Sequence, residues 1–220
     1  MAQTDGATIH VTRSARTPDV THVAAILLAA GQSRRMGAFK PLLPFGDKTV
    51  IETCIDNLRA GGIDTPIVVL GHRADAVRAR IKNVTIAINP DPNSEMGASI
   101  AAGIQAMNDD AKCVLIALVD HPAIPPETVS QLVQEWRNGA RIVIPTWQNR
   151  GGHPVLVDLA FKHELLNLDR TGGLRALFKS HETDVKRLPV DSPFVARDMD
   201  TWDDYVALYE ELFGHPPPGP

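Results

Sequence analysis

The stretch VAAILLAAGQSRRMGAFKPLLPFG, Val23 to Gly46, decides how this chain is read. An apolar run of strand length stops at Gly31 and gives way to a polar segment carrying Arg34, Arg35, Gly37 and Lys40. A buried strand that feeds a small, cationic loop is suited to presenting backbone N–H groups and side-chain charge to an anion. Spacing excludes two common phosphate loops. The Walker pattern is Gly-x-x-x-x-Gly-Lys-Ser/Thr, whereas here five residues separate Gly31 from Gly37 and Ala38-Phe39 follow. The dinucleotide fingerprint is Gly-x-Gly-x-x-Gly, and only two glycines lie between Gly31 and Lys40.

Outward from this stretch, apolar runs of strand length alternate with helical periodicity. Strands are predicted at Val23–Ala29, Pro66–Leu70, Val84–Ile88, Cys113–Val119, Arg141–Pro145 and Pro154–Val157, with a weaker one near Val185–Val190. Helices are predicted at Val50–Ala60, Ala74–Ile81, Gly97–Met107, Glu127–Arg137, Leu159–Leu166, Leu174–Ser180 and Trp202–Phe213. Thr49 with Glu52 matches a capping box, and Thr201 with Asp203 and Asp204 marks the last helix start. The alternation implies one α/β/α domain in three layers, Rossmann-like, with a mostly parallel, mixed sheet. Ligands of such sheets bind beyond the carboxyl ends of the strands.

The domain is expected at 21–214, after a loose N-terminal extension over 1–20 and before a disordered tail over 215–220. The formal charge of −4 argues against a general nucleic-acid or membrane-surface binder while leaving room for a local basic pocket. Cys54 and Cys113 have no CxxC partner, which disfavours a disulfide scaffold or zinc ribbon and leaves them as reduced core thiols. The first twenty residues are polar and lack a signal-peptide core, so the default compartment is the cytoplasm.

Leu28-Ala29-Ala30-Gly31, Ser33, Arg35-Met36-Gly37 and Lys40-Pro41-Leu42-Leu43 together resemble the signature loop of the GT-A-like nucleotidyltransferases. Within them, the closest resemblance is to the molybdenum cofactor cytidylyltransferases and their guanylyltransferase cousins. The resemblance implies that Leu28, Ala29, Ala30, Gly31, Ser33, Arg35 and Lys40 contact a nucleoside triphosphate, with Gly71 also at the nucleotide. Small residues at Gly31 let the backbone approach a base and ribose, and Arg35 and Lys40 add charge against phosphate.

Four further segments carry the resemblance. In NPDPNSEMGASIAAGIQAM, Asn89–Met107, Gly97 and Ser99 are expected at the ligand, with Ser94 or Gly97 as a helix cap in the plainer reading. In VLIALVDHPAIPPETV, Val114–Val129, Asp120 falls where the family binds Mg²⁺, while Val119 and His121 replace the usual glycine and methionine. His121 is read as an ordinary loop histidine, with contact to substrate or metal as the alternative. In RDMDTWDDY, Arg197–Tyr205, Asp200 is the implied second Mg²⁺ ligand, with Asp198 the weaker candidate. Gly152, His153 and Pro154 match the family's acceptor-docking Gly-His-Pro segment, although Gly151 stands where an arginine is usual. Arg170 and Arg175, in Leu168–Phe178, could reach an acceptor phosphate or form a solvated face.

The implied activity is Mg²⁺-dependent transfer of CMP from CTP to a phosphorylated acceptor, molybdopterin, with Arg35, Lys40 and Asp120 as catalytic residues. Transient contact with proteins that mature molybdoenzymes is implied as well. Ala30 before Gly31 favours CTP, since the guanylyl relatives usually have two glycines there. The alternatives are GTP-dependent guanylyl transfer or another small-phosphate transfer, a glycosyltransferase of similar fold, and a non-catalytic regulatory or chaperone-like nucleotide-binding module.

Overall fold

The computed structural model describes residues 22–91, 93–168 and 172–219; the expected extension over 1–20 and Arg170 lie outside the described residues. From the amino end, β1 (Val23–Ala29) leads through the polar loop to a short hairpin, β2 (Pro44–Phe45) and β3 (Lys48–Thr49), which feeds α1 (Val50–Ala60). The chain continues through β4 (Ile67–Leu70), α2 (Ala74–Arg78), β5 (Thr85–Ile88), α3 (Met96–Gln105), β6 (Cys113–Leu118) and α4 (Pro126–Arg137). A three-stranded excursion follows, β7 (Ile142–Trp147), β8 (Arg150–Gly151) and β9 (Val155–Asp158), then α5 (Lys162–Leu165), α6 (Gly173–Ser180), β10 (Val185–Pro189) and α7 (Trp202–Phe213).

The main sheet has eight strands in the order β10-β7-β9-β6-β1-β4-β5, with β8 paired to β7. β1 is flanked in parallel by β4 and β6, whereas β9 runs antiparallel to both β6 and β7. The expected mixed, mostly parallel sheet is therefore present. Its antiparallel part begins at a turn the sequence did not advertise. Gln148 and Asn149 both adopt positive φ, 47° and 65°, between the paired residues Trp147 and Arg150. That is the backbone a two-residue hairpin needs, reached without the usual Asn-Gly.

Alternation of period two along the strands divides the core into two layers. Ala25, Leu27 and Ala29 face α1, α4 and α7 on one side, packing with Ile51, Leu132 and Tyr205. Ile26 and Leu28 face the other side, against Ile100 and Ile104 of α3, Leu165 of α5 and Leu177 of α6. The helix caps follow the sequence. The Thr49–Glu52 and Thr201–Asp204 pairs both form capping boxes, and Pro126 opens α4.

Some boundaries differ from expectation for local reasons. The run Leu159–Leu166 splits into a 3₁₀ turn and α5, because Asp158 turns back to accept from the Ala160 N–H at 2.8 Å. Glu95, not Ser94 or Gly97, holds the N-cap position of α3. Ser94 is engaged in the preceding loop, donating to the Asp91 carbonyl at 2.8 Å and accepting from Asn89 Nδ2 at 2.8 Å. After α7, the His215 ring lies against Tyr209, centroids 5.6 Å apart. Among the described residues, no helix is long and apolar enough to cross a membrane.

Candidate active site

The register of the central strands sets the site. Leu28 pairs with Leu118, and the Val119 N–H donates to the Leu28 carbonyl at 3.1 Å, so the loops leaving β1 and β6 start side by side. The first of these loops is anchored rather than free. Met36 is buried, Ser33 takes a positive φ of 52° and accepts the Met36 N–H, and Ser33 Oγ accepts from the Lys40 N–H at 3.2 Å. Lys40 then begins a 3₁₀ turn with Pro41 in its second position.

A third segment arrives from far along the chain. The backbone N–H of Met199 donates to the Asp120 carbonyl at 3.0 Å, which sets Asp200 against the end of β6. The Lys40 side chain, only 8% exposed, lies between the two acids, with Nζ 3.2 Å from Asp200 Oδ1 and 3.5 Å from Asp120 Oδ2. Arg35 is 77% exposed and closes the other side of Asp200, Nη2 to Oδ2 at 2.8 Å.

Asp120 is ionised by its surroundings. Burial alone would raise its pKa; hydrogen bonding and electrostatic attraction from His121, then Lys40, outweigh that and hold it down to about 2. His121 Nδ1 stands 2.9 Å from Asp120 Oδ1, so His121 is neither a solvated loop residue nor part of the cavity wall. The loop is further fixed by Asn57 of α1, whose Nδ2 donates to the Pro122 carbonyl at 2.8 Å.

These groups border an open cavity of about 350 Å³. Leu28, Ala30, Gly31 and Ser33 line it from the β1 side, and Arg35, Lys40, Asp120 and Asp200 supply its charge. Ser99 lines it from α3, where its hydroxyl accepts from Asn89 Nδ2 at 2.9 Å.

Three residues expected at the nucleotide do not line this cavity. Ala29 is 1% exposed and belongs to the core. Gly71 backs the loop: a Cβ there would fall 2.8 Å from the Ala30 carbonyl oxygen, so close approach of two backbones is what requires glycine. Gly97 is buried in the first turn of α3. Gly152, His153 and Pro154 also lie away from the cavity wall; His153 and Pro154 instead border a small inner space of about 20 Å³ behind His121, and Gly152 packs against the Val195 backbone. Arg175 is exposed on α6.

The sequence reading gave no ligand role to Asn89, Asp91 and Glu95, all of which line the cavity. Asn89 could have been found as a polar residue directly after a strand. Arg34, already named in the cationic loop, lines the cavity too; its guanidinium donates to Gln32 and Asn93 across the rim.

The donor set suits a hard divalent ion of the Mg²⁺ type. Two carboxylates converge on one cationic atom, which shows that a positive charge is accommodated between them. Among the described residues no three His, Cys, Asp or Glu side chains are grouped to hold a metal. An ion here would thus draw further ligands from phosphates and water, as Mg²⁺ commonly does. Cys54 and Cys113 take no part; burial pushes the Cys54 thiol far above the usual thiol range and the Cys113 thiol up to about 12.

A family model described as a MobA-like NTP transferase domain matches residues 25–185. Nicotine blue oxidoreductase of Paenarthrobacter nicotinovorans is 30% identical over 201 residues, 86% of this chain and 98% of that protein. Molybdenum cofactor cytidylyltransferase of Escherichia coli K12 is 28% identical over 191 residues, 84% of this chain and 94% of that protein. Among solved structures, Rv0371c of Mycobacterium tuberculosis H37Rv in complex with manganese superposes with a TM-score of 0.72 at 28% identity, covering 86% of this chain and 98% of that one.

Proposed function

Since the chain belongs to the MobA-like NTP transferase family, we propose that it is a cytoplasmic, Mg²⁺-dependent cytidylyltransferase that moves CMP from CTP to a phosphorylated small acceptor, molybdopterin, and releases pyrophosphate. The observation that carries this reading is the meeting of Asp120, Asp200, Lys40 and Arg35 at one wall of the cavity. A binding module without turnover has no need to bring two acids onto a single buried cation.

In the reaction, an acceptor phosphate oxygen bonds to the α-phosphorus of CTP. The bond from that phosphorus to the α,β-bridging oxygen breaks, and its electron pair leaves on pyrophosphate. Asp120 and Asp200 would hold the Mg²⁺ ion, which when bound would supply neutralisation of phosphate charge. Lys40 and Arg35 are the groups of this chain that meet the remaining negative charge, Lys40 as a fixed point charge and Arg35 as a mobile planar fork. Ala30, Gly31 and Ser99 form the wall against which the nucleotide lies. The preference for CTP over GTP rests on Ala30 before Gly31 and on similarity to the bacterial cytidylyltransferase. The molybdopterin acceptor, and contact with proteins that mature molybdoenzymes, rest on the same similarity.

The nicotine blue oxidoreductase relative sets a competing reading on the same scaffold, a redox enzyme. Purified protein is incubated with Mg²⁺, molybdopterin and each nucleoside triphosphate in turn, and pyrophosphate is measured; release with CTP is expected. A parallel assay follows the colour of nicotine blue on incubation with the protein and an added reductant. Dye reduction with no pyrophosphate from any triphosphate rejects the transferase reading, and release with GTP alone replaces CTP with GTP.

A further inference from the structure

The two oxygens of the Asp120 carboxylate have different neighbours. Oδ2 faces Lys40 Nζ at 3.5 Å on the cavity side, while Oδ1 lies 2.9 Å from His121 Nδ1 on the inner side. An ionised carboxylate only accepts hydrogen bonds, so the proton of this contact sits on Nδ1. The His121 side chain is 7% exposed and forms no part of the cavity wall, so it acts on the cavity only through Asp120.

Behind His121 stands a second imidazole. The His153 ring meets it edge-on, centroids 5.5 Å apart. His153 is itself fixed, because its backbone N–H donates to the Val195 carbonyl at 2.8 Å. Gly152, just before it, is pressed against the same strap, where a Cβ would fall 1.9 Å from the Val195 oxygen. A continuous line of contacts thus runs from the turn at Pro193–Ala196 through His153 and His121 to Asp120.

Resting on the metal-dependent reading above, we infer that His121 is a positioning residue. Its Nδ1–H pins Asp120 Oδ1 so that Oδ2 is presented to the cavity where Lys40 Nζ now stands, and His153 braces the His121 ring from behind. Partners that orient a metal-binding carboxylate commonly matter about 10–100-fold for metal affinity. The Gly-His-Pro segment then serves the site from its inner side.

The test is Mn²⁺ binding by the full chain in the presence of α,β-methylene CTP, read from the electron paramagnetic resonance signal of free Mn²⁺ and so independent of turnover. Asparagine carries its amide nitrogen near the place of Nδ1, whereas glutamine carries it near Nε2. His121→Asn is expected to hold Mn²⁺ within about threefold of the wild type, and His121→Gln to weaken it about tenfold or more. Equal affinity in the two variants overturns the inference. Asp120→Asn is the control for the underlying reading. If the wild type takes up no Mn²⁺, or Asp120→Asn binds it unchanged, the metal reading falls and this inference with it. If Asp120→Asn weakens binding while both His121 variants match the wild type, the His121 assignment alone falls. Should either His121 variant fail to fold, His153→Leu removes the brace and leaves His121 in place. Weakening of about threefold or more supports the assignment, and unchanged affinity overturns it.

Discussion

The Met199 N–H donates to the Asp120 carbonyl at 3.0 Å. This backbone bond joins the end of β6 to the segment entering α7. It brings the two acids within reach of one lysine, and each prediction below depends on the site assembled there.

Lys40 and Arg35 are both cationic but differ in burial, 8% against 77% exposed. Removing a fixed, desolvated donor of developing charge costs roughly 10²–10³ in turnover, so Lys40→Ala should lower kcat/KM for pyrophosphate release by that factor. Arg35→Ala should cost about tenfold or less, because an exposed ion pair is weak and solvent screens it. Steady-state kinetics of both variants checks the order; a larger loss for Arg35→Ala contradicts the assignment.

Chelation tests the acid pair. Pyrophosphate release should cease in excess EDTA and return on adding Mg²⁺. Asp120→Asn removes one of the two converging charges, so the Mg²⁺ concentration for half-maximal rate should rise at least about tenfold. A Mg²⁺ titration of wild type and variant decides this.

Two glycines should respond in opposite ways. A Cβ at Gly31 meets nothing within 4 Å and would project into the cavity region. Gly31→Ala should therefore leave the melting temperature unchanged while raising KM for the triphosphate. At Gly152 the Cβ would fall 1.9 Å from the Val195 carbonyl, so Gly152→Ala should destabilise by about 1–3 kcal/mol through forced backbone shifts. Urea unfolding of both proteins, beside kinetics of Gly31→Ala, separates the ligand-facing glycine from the structural one.

His153 links acidity to stability. Burial first, then repulsion from His121, lowers its pKa from 6.5 to about 4. The unfolded chain therefore binds this proton more readily than the folded one between those values. Stability from the neutral imidazole is fully present above pH 6.5 and is lost as pH falls toward 4, amounting to about 3 kcal/mol across that window. Urea midpoints should fall over this range in the wild type and fall less in His153→Leu. Parallel curves for the two proteins would contradict the buried neutral state.

Much of the architecture was readable because burial writes itself into periodicity. The continuous apolar run of β1 and the capping pairs at Thr49 and Thr201 mark elements whose causes are local. The cavity-lining residues Ala30, Gly31, Ser33 and Lys40 were legible for the same reason, since they directly follow a strand. The hairpin at Gln148-Asn149 was not read from the sequence, because the pair lacks the glycine that usually marks a two-residue turn with positive φ. Gly71 and Gly97 were expected at the nucleotide; in the fold Gly71 backs the loop, where the neighbouring Ala30 backbone leaves no room for a Cβ, and Gly97 is buried in the first turn of α3.

By itself, the sequence determined the alternation of strand and helix and the polar loop at the end of β1, because each depends on residues close together in the chain. Only the tertiary structure decided that Asp120 and Asp200 share Lys40, that His121 turns inward to Asp120, and that Gly152 and His153 stand behind the site. Those outcomes depend on strand order and on hydrogen bonds between loops distant in sequence. A hydrophobic pattern records which side of a segment is buried, but not which other segment it is buried against.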